Sequence, residues 1–465
     1  MTSILDKDLG AFRKSLDGQV VAPDDPGYDA GRSVWNGDID RRPAAVVHCW
    51  SPADVAAAIE FGRAHGLELS VRGGGHSTSG AAVSEGGLMI HLGALNQVTV
   101  DPVARRARVG GGATLAEMDA ATQAHGLAVT GGVVSHTGVG GLTLGGGMGW
   151  LHRKLGLSID NLLACEVVLA DGRIVRASAR EYPDLYWALR GGGGNFGVVT
   201  EFEFELHQVG PEVHVGLFFW GLDQAAEALR LAREVVETLP RDSGGVIVAM
   251  NAPPAPPAPE QHWLAPGVAL VLVGFSSADD FARLAEPVRA GLTPLFELVT
   301  PMPYVALQQM VEPGFPWGIK AYNRSLTLNE LSDEAIDVLS RHLPAKCSPM
   351  TQLPVFSLGG AYADVGEDDT AFSASRSARY SLELVVMAPA DDLLAADRAW
   401  MRELWDALLP FAVNSGSYVN FMYEYEEDRV RASYGAAKYD RLARIKAEYD
   451  PENLFHLNAN IKPAR

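Results

Sequence analysis

The chain has 465 residues, of which 47% are hydrophobic and 20% charged, with 49 glycines and a formal net charge of −19. That apolar fraction excludes a wholly disordered chain, and 57 acidic against 38 basic residues argue against nucleic acid or an anionic membrane as a main partner. A soluble globular protein of two or three domains is expected.

In chain order, the opening MTSILDKDLGAFRKSLDG carries charges every few residues and lacks the apolar stretch of a signal peptide. No apolar run of about 18 residues follows, so neither a membrane span nor export is expected and the cytoplasm is the expected compartment. Ser51-Pro52-Ala53-Asp54 sets a capping serine, a proline at the first helical position and an acid at the third, predicting a helix through Ala56 to about Ala64 that stops at Gly66. LELSVR (67–72) reads as a strand, and VTV (98–100) with ARV (107–109) as a hairpin. Thr114-Leu115-Ala116-Glu117 is a second capping box, opening a helix that ends near Gly126.

Beyond Gly210 the texture changes. VHVGLFFW (213–220), GVIVAM (245–250), GVALVLVGF (267–275) and YSLELVVMA (380–388) read as strands, with helical patterns at about 222–238, 278–290, 332–342 and 391–409. These predict a separate domain built on an antiparallel sheet with helices on one face. APPAPPAP (252–259) reads as a stiff surface loop inside that domain, and one more helical pattern covers about 435–448 before Asp450-Pro451 and an Asn-rich ending. The fold class is α+β.

Glycines cluster at 73–75, 110–112, 138–149 and 191–197, each flanked by apolar strand-like segments, as in loops that must approach another group closely. Gly192-Gly193-Gly194-Asn195-Phe196-Gly197 satisfies G-x-G-x-x-G, but helix-like PDLYWALR precedes it and strand-like VVTEFEFEL follows, the reverse of a nicotinamide-dinucleotide loop. Val71-Arg72-Gly73-Gly74-Gly75-His76-Ser77 directly follows a strand, so its free N–H groups form a nest suited to pyrophosphate with a histidine at the tip. Cys49, Cys165 and Cys347 are too dispersed for a disulfide framework or a zinc site, and no metal is expected. The Asn323-Arg324-Ser325 sequon is read as accidental in a chain with no secretory signal.

SVRGGGHSTSG (70–80), SHTGVGGLTLGGGMGWLHRKLGLSIDNLLACEVVLADGRIV (135–175), DLYWALRGGGGNFGVVTEFEFEL (184–206) and YDPENLFHLNANIKP (449–463) resemble, in order, the signatures of berberine-bridge-enzyme-like FAD-linked oxidases, within the wider vanillyl-alcohol oxidase and para-cresol methylhydroxylase superfamily. The resemblance implies that His76 is joined to the 8α-methyl of FAD through a ring nitrogen. It also implies that Gly73, Gly74 and Gly75 hold the pyrophosphate, with Arg72, Ser77 and Gly80 in the same cofactor-binding loop. The cysteine that makes a second flavin bond in doubly linked members aligns with Val134, so a single link is implied; Cys165, Ser135 and His136 do not replace it. Gly138, Gly140, Gly141, Leu142, Gly145, Gly146, Gly147 and Gly149 are expected along the adenine-to-ring span, with Asn161 contacting the cofactor. Gly194 and Val199 are expected on the adenine and ribose side, and Asn420, Asn458 and Asn460 near the ring.

For catalysis, Ser417-Tyr418-Val419-Asn420-Phe421 resembles the family's Y-x-N-Y segment, which makes Tyr418 the first choice for the base, although Phe421 replaces the second tyrosine. A free phenol titrates near pH 10, so this base needs a neighbouring donor or cation, or alkaline conditions. Glu383 is the second choice if its strand turns it inward, where burial raises its pKa; a solvent-facing carboxylate is the favoured reading. Tyr304, Trp317 and Tyr322 form an aromatic substrate wall or belong to the core, and Glu424 to Asp428 read as a solvated face.

The resulting expectation is an FAD-binding domain of the PCMH type, residues 1–206 completed by 419–465, with a substrate-binding domain at 207–418 and the active site at the junction. The resemblance implies an oxidase that takes hydride from a C–H beside an alcohol or amine and passes electrons to dioxygen, giving hydrogen peroxide. A dehydrogenase with another acceptor and a flavin-containing sequestration protein are the alternatives. Sugars, phenolic alcohols, alkaloid amines and polyketide intermediates are all compatible substrates, with the single link leaning away from oligosaccharides; a monomer or homodimer is expected.

Overall fold

The computed structural model describes residues 2–465. The Pro52–Ala64 helix starts as its capping box requires, with Ser51 Oγ accepting the Asp54 N–H at 3.2 Å and Asp54 Oδ2 accepting the Ser51 N–H at 3.2 Å. Its Val55, Ala58 and Ile59 bury against Leu69, Leu88 and Ile90 of a four-stranded sheet. In that sheet Ala45–His48 and Leu69–Arg72 flank Leu88–His91 in parallel, and Gln19–Val21 pairs antiparallel at the edge. The second sheet is antiparallel and runs, in spatial order, Val98–Asp101, Arg106–Gly110, Val198–Glu205, Leu162–Val168 and Ile174–Ser178. Thr114 caps the Leu115–Gln123 helix with the expected box.

The third sheet is antiparallel and seven-stranded, ordered Phe296–Pro303, Glu212–Gly221, Pro266–Gly274, Ser243–Asn251, Leu353–Ser357, Tyr380–Ala388 and Lys320–Leu328. Three of these strands, Phe296–Pro303, Lys320–Leu328 and Leu353–Ser357, add to the four read from the sequence. Strand alternation assigns the two faces. Leu382, Leu384 and Val386 join Ile247, Leu270 and Leu272 beneath the helices Ala225–Glu237, Ala278–Gly291, Asp333–His342 and Asp391–Leu408. The opposite face, with Val246, Val273 and Phe356, packs into the core of the second sheet. The APPAPPAP segment is a loop joining Ser243–Asn251 to Pro266–Gly274, as expected.

Buried polar groups fix the large sheet against the small ones. Arg376 holds Asp160 through two hydrogen bonds, at 2.7 and 2.8 Å, with both side chains under a tenth exposed. Arg153 donates to the carbonyls of Leu239, Ser243 and Leu358. The chain then returns through the Ala436–Tyr449 helix, whose fully buried Lys446 donates to Asp450, Asn195 O and Phe455 O and so ties the last residues to the 193–195 turn. Among the described residues, no helix is long and apolar enough to cross a membrane.

Candidate active site

A cavity of about 350 Å³ lies where these parts meet, within the range of small-molecule sites, about 300–1,000 Å³. One half of its wall is backbone. Gly73, Gly74 and Gly75 leave the end of the Leu69–Arg72 strand, and Gly111, Gly138, Gly140, Gly141, Gly193 and Gly194 come from the other glycine clusters. The absence of side chains is a steric necessity at Gly74 and Gly138: a Cβ on either would lie 2.3 Å from the backbone nitrogen of the other. Gly75 adopts φ +69°, a conformation that glycine accepts freely. The other half is mostly apolar, with Phe315, Pro354, Phe356, Val385 and Phe421 beside Asn323.

His76 stands at the border, half-buried with its open side on the cavity. Its ring stacks on Trp35 at 4.5 Å, and burial together with the neighbouring His136 pushes its pKa down to about 3, so the imidazole is neutral. Tyr418 also lines the cavity. Its Oη accepts the Gly147 N–H and an Asn420 Nδ2–H, each at 2.8 Å, while its own N–H donates to Ser325 Oγ. Burial raises the phenol pKa above its ordinary value; the two donors pull the other way by favouring the phenolate, and Glu383 adds to the rise.

Glu383 is fully buried on the face of its strand that looks toward the small sheets, not in solvent as favoured from the sequence. The period-two pattern places it with Ser381 and Val385, and Ser381 Oγ donates to its Oε1 at 2.6 Å while Oε2 has no hydrogen-bond partner. Burial raises its pKa to about 8. It lies behind the cavity wall and is not part of the lining.

The remaining expected residues divide. Ser77, Leu142, Val199, Asn420 and Asn458 join the glycines at the cavity. Arg72, Gly80, Gly145, Gly146, Gly147, Gly149, Asn161 and Asn460 are not part of the lining. Asn161 donates to Leu155 O and Leu157 O and accepts from His207, so its amide is spent on chain packing. Arg72 donates to Ser33 O and contacts His91. A Cβ on Gly147 would strike Ser158, and one on Gly149 the Gly131 carbonyl, which makes these packing glycines behind the wall.

The surroundings agree with the sequence reading only in part. Tyr304 and Tyr322 are core residues, the more frequent of the two readings for such aromatics, while Trp317 is exposed, so the three build no substrate wall. The acidic segment is split: Glu424 accepts from Tyr322, Arg324 and Arg402, and Tyr425 lines the cavity and accepts from Ser79, leaving 426–428 exposed. Trp35, His136 and Tyr425 were not singled out as site residues from the sequence, because a lone aromatic or histidine in a loop carries no periodic signal.

Together the fold and the glycine-walled cavity define an FAD-binding oxidoreductase of the PCMH type. Residues 43–178 match the family described as FAD binding domain, and 417–462 the family described as Berberine and berberine like. The chain is 31% identical to (R)-6-hydroxynicotine oxidase of Paenarthrobacter nicotinovorans, over 97% of each protein. The structure of 6-hydroxy-D-nicotine oxidase from Arthrobacter nicotinovorans superposes with a TM-score of 0.85 at 27% identity, covering 97% of this chain and 98% of that one. Glucooligosaccharide oxidase from Acremonium strictum, described with a 6-S-cysteinyl, 8α-N1-histidyl FAD, gives 0.84 at 25% identity over 98% and 99%. The chain belongs to the berberine-bridge-enzyme-like family of FAD-linked oxidoreductases.

Proposed function

We propose that the protein is an oxidase that removes hydride from a C–H beside an alcohol or amine of a small, flat organic substrate and delivers the electrons to dioxygen, releasing hydrogen peroxide. Residues 1–206 with 419–465 form the FAD-binding part and 207–418 the substrate-binding part. The observation that carries this reading is the position of the Tyr418 hydroxyl, held by two N–H donors at a cavity with one glycine wall and one apolar wall.

The residues present fit FAD. Bare backbone at Gly73 to Gly75 suits a pyrophosphate, and the Asn458 side-chain oxygen at the cavity is buried without a partner. Gly138, Gly140, Gly141, Gly194 and Val199 would flank the cofactor, and His76 would tether it; Val134, at the position of the second link, supports a single tether. Bound FAD supplies the hydride acceptor and the centre that reacts with dioxygen.

The protein's own part is proton handling and orientation. Tyr418 takes the substrate proton as its phenolate, the form that the Gly147 N–H and the Asn420 amide stabilise before the transfer, and it ends the step as the neutral phenol. Phe315, Phe356, Val385 and Phe421 exclude water and favour a flat apolar body over an oligosaccharide. The test is an anaerobic screen of aromatic amines, aromatic alcohols and sugars, following loss of the oxidised flavin absorbance and then peroxide on admitting air. Bleaching followed by stoichiometric peroxide is expected with a member of the first two groups. Bleaching without reoxidation by air would identify a dehydrogenase, and no bleaching by any compound would favour a sequestration protein.

A further inference from the structure

The link between His76 and His136 has no part in substrate oxidation, yet it is specific. His76 Nε2 lies 3.1 Å from His136 Nδ1, and His136 Nε2 lies 3.1 Å from the Phe315 carbonyl oxygen, which also accepts the Trp35 indole N–H at 3.0 Å. A carbonyl oxygen only accepts, so His136 carries its proton on Nε2 and offers a lone pair at Nδ1. His76 must then carry its own proton on Nε2 and donate it, which leaves the His76 Nδ1 lone pair free. The Trp35 stack fixes the plane of the ring. His136 does not line the cavity, and its loop is pinned to the start of the Leu115–Gln123 helix by the bonds Leu115 N–H to Thr137 O and Ala116 N–H to Ser135 O.

We propose that His136 arms His76 for covalent attachment of FAD, by accepting its Nε2 hydrogen and so presenting Nδ1 as the nucleophile. The inference rests on the FAD reading above. In the attachment step, the His76 Nδ1–C8α bond replaces one C–H bond of the flavin methyl group; the C8α proton and the His76 Nε2 proton, held until then in the hydrogen bond to His136 Nδ1, are the two protons that leave with the electrons in the hydrogen peroxide. The two electrons released enter the isoalloxazine, and dioxygen is the oxidant that removes them, as hydrogen peroxide. His136 is a positioning residue in this scheme, since it reaches the cofactor only through His76.

The test compares full-length wild type, His136→Ala and His136→Gln, measuring flavin after native desalting and again in the acid-precipitated protein. The expected result is native-bound FAD in all three, an acid-stable fraction reduced at least tenfold in His136→Ala, and recovery of a third or more of the wild-type fraction in His136→Gln, whose amide oxygen also accepts the Nε2 hydrogen. A wild-type acid-stable fraction in His136→Ala, or no recovery in His136→Gln, overturns the proposal. If His136→Ala fails to fold or to bind FAD, the flavin peptide released from the wild type decides: a bond at His76 Nδ1 supports it and one at Nε2 overturns it. Wild-type protein that holds no FAD natively would refute the FAD reading instead, whereas flavin held natively but lost wholly in acid would refute the tether and this proposal with it.

Discussion

Burial acts on Tyr418 and Glu383 in the same direction and with different consequences. The Tyr418 hydroxyl is braced by Gly147 and Asn420, so Tyr418→Phe keeps the ring packed against Phe372 and Phe421 while removing the base. Flavin content is expected to persist, and the anaerobic flavin-reduction rate to fall roughly 10²–10⁴-fold. Because the phenol pKa is raised, the wild-type reduction rate should climb into the alkaline range, and stopped-flow across pH should find that limb missing in the variant. Glu383, by contrast, is a stability liability. Its pKa rises from an ordinary 4.5 to about 8, so between those values the folded chain keeps a proton that the unfolded chain has lost, and stability falls as pH rises. Glu383→Gln should therefore flatten the decline between pH about 5 and about 8 by up to about 1.4 kcal/mol per pH unit, read from thermal melts across that range. The glycine nest and His76 could be found in the sequence because three glycines after a strand have few other uses. Asn161 could not be assigned in that way, since one asparagine serves a cofactor or two backbone carbonyls equally well, and only the folded chain decides.

At the level of elements, both capping boxes and the Tyr380–Ala388 strand were legible, because they rest on local rules of capping and periodicity. The strands that were missed have physical disguises. Lys320–Leu328 presents Asn323 and Ser325 on the face toward the cavity, which breaks the apolar alternation. Leu353–Ser357 contains Pro354, and Phe296–Pro303 is an edge strand ending in Pro301 and Pro303. The last helix makes its own testable claim through Lys446. Lys446→Ala leaves the buried Asp450 carboxylate without its cation and three hydrogen bonds without their donor, and should cost about 3–5 kcal/mol. Chemical denaturation measures that loss, and limited proteolysis should find the segment after Pro451 cut earlier; an unchanged midpoint would mean that the clamp is energetically neutral.

For the molecule as a whole, the division of labour follows from where the sheets meet. The small sheets supply backbone through glycine loops, the large sheet supplies apolar side chains, and the returning C-terminal segment brings Tyr418, Asn420 and Asn458 to the seam. The separate origin of the two walls was legible because the glycine clusters end at Gly197 and the long apolar strands of the large sheet begin only at Glu212. The substrate was not, because the wall that would select it is built from Phe315, Asn323, Phe356 and Val385, single residues on separate elements with no motif among them. The central claim, a flavoenzyme whose FAD is bonded once through His76, is tested most directly by the intact mass of the denatured full-length protein. The denatured wild type is expected at the chain mass plus one FAD less two hydrogens, with the adduct on the peptide containing His76 and absent from His76→Ala; a denatured wild-type chain of unmodified mass, or an adduct that survives in His76→Ala, would contradict a single tether at His76.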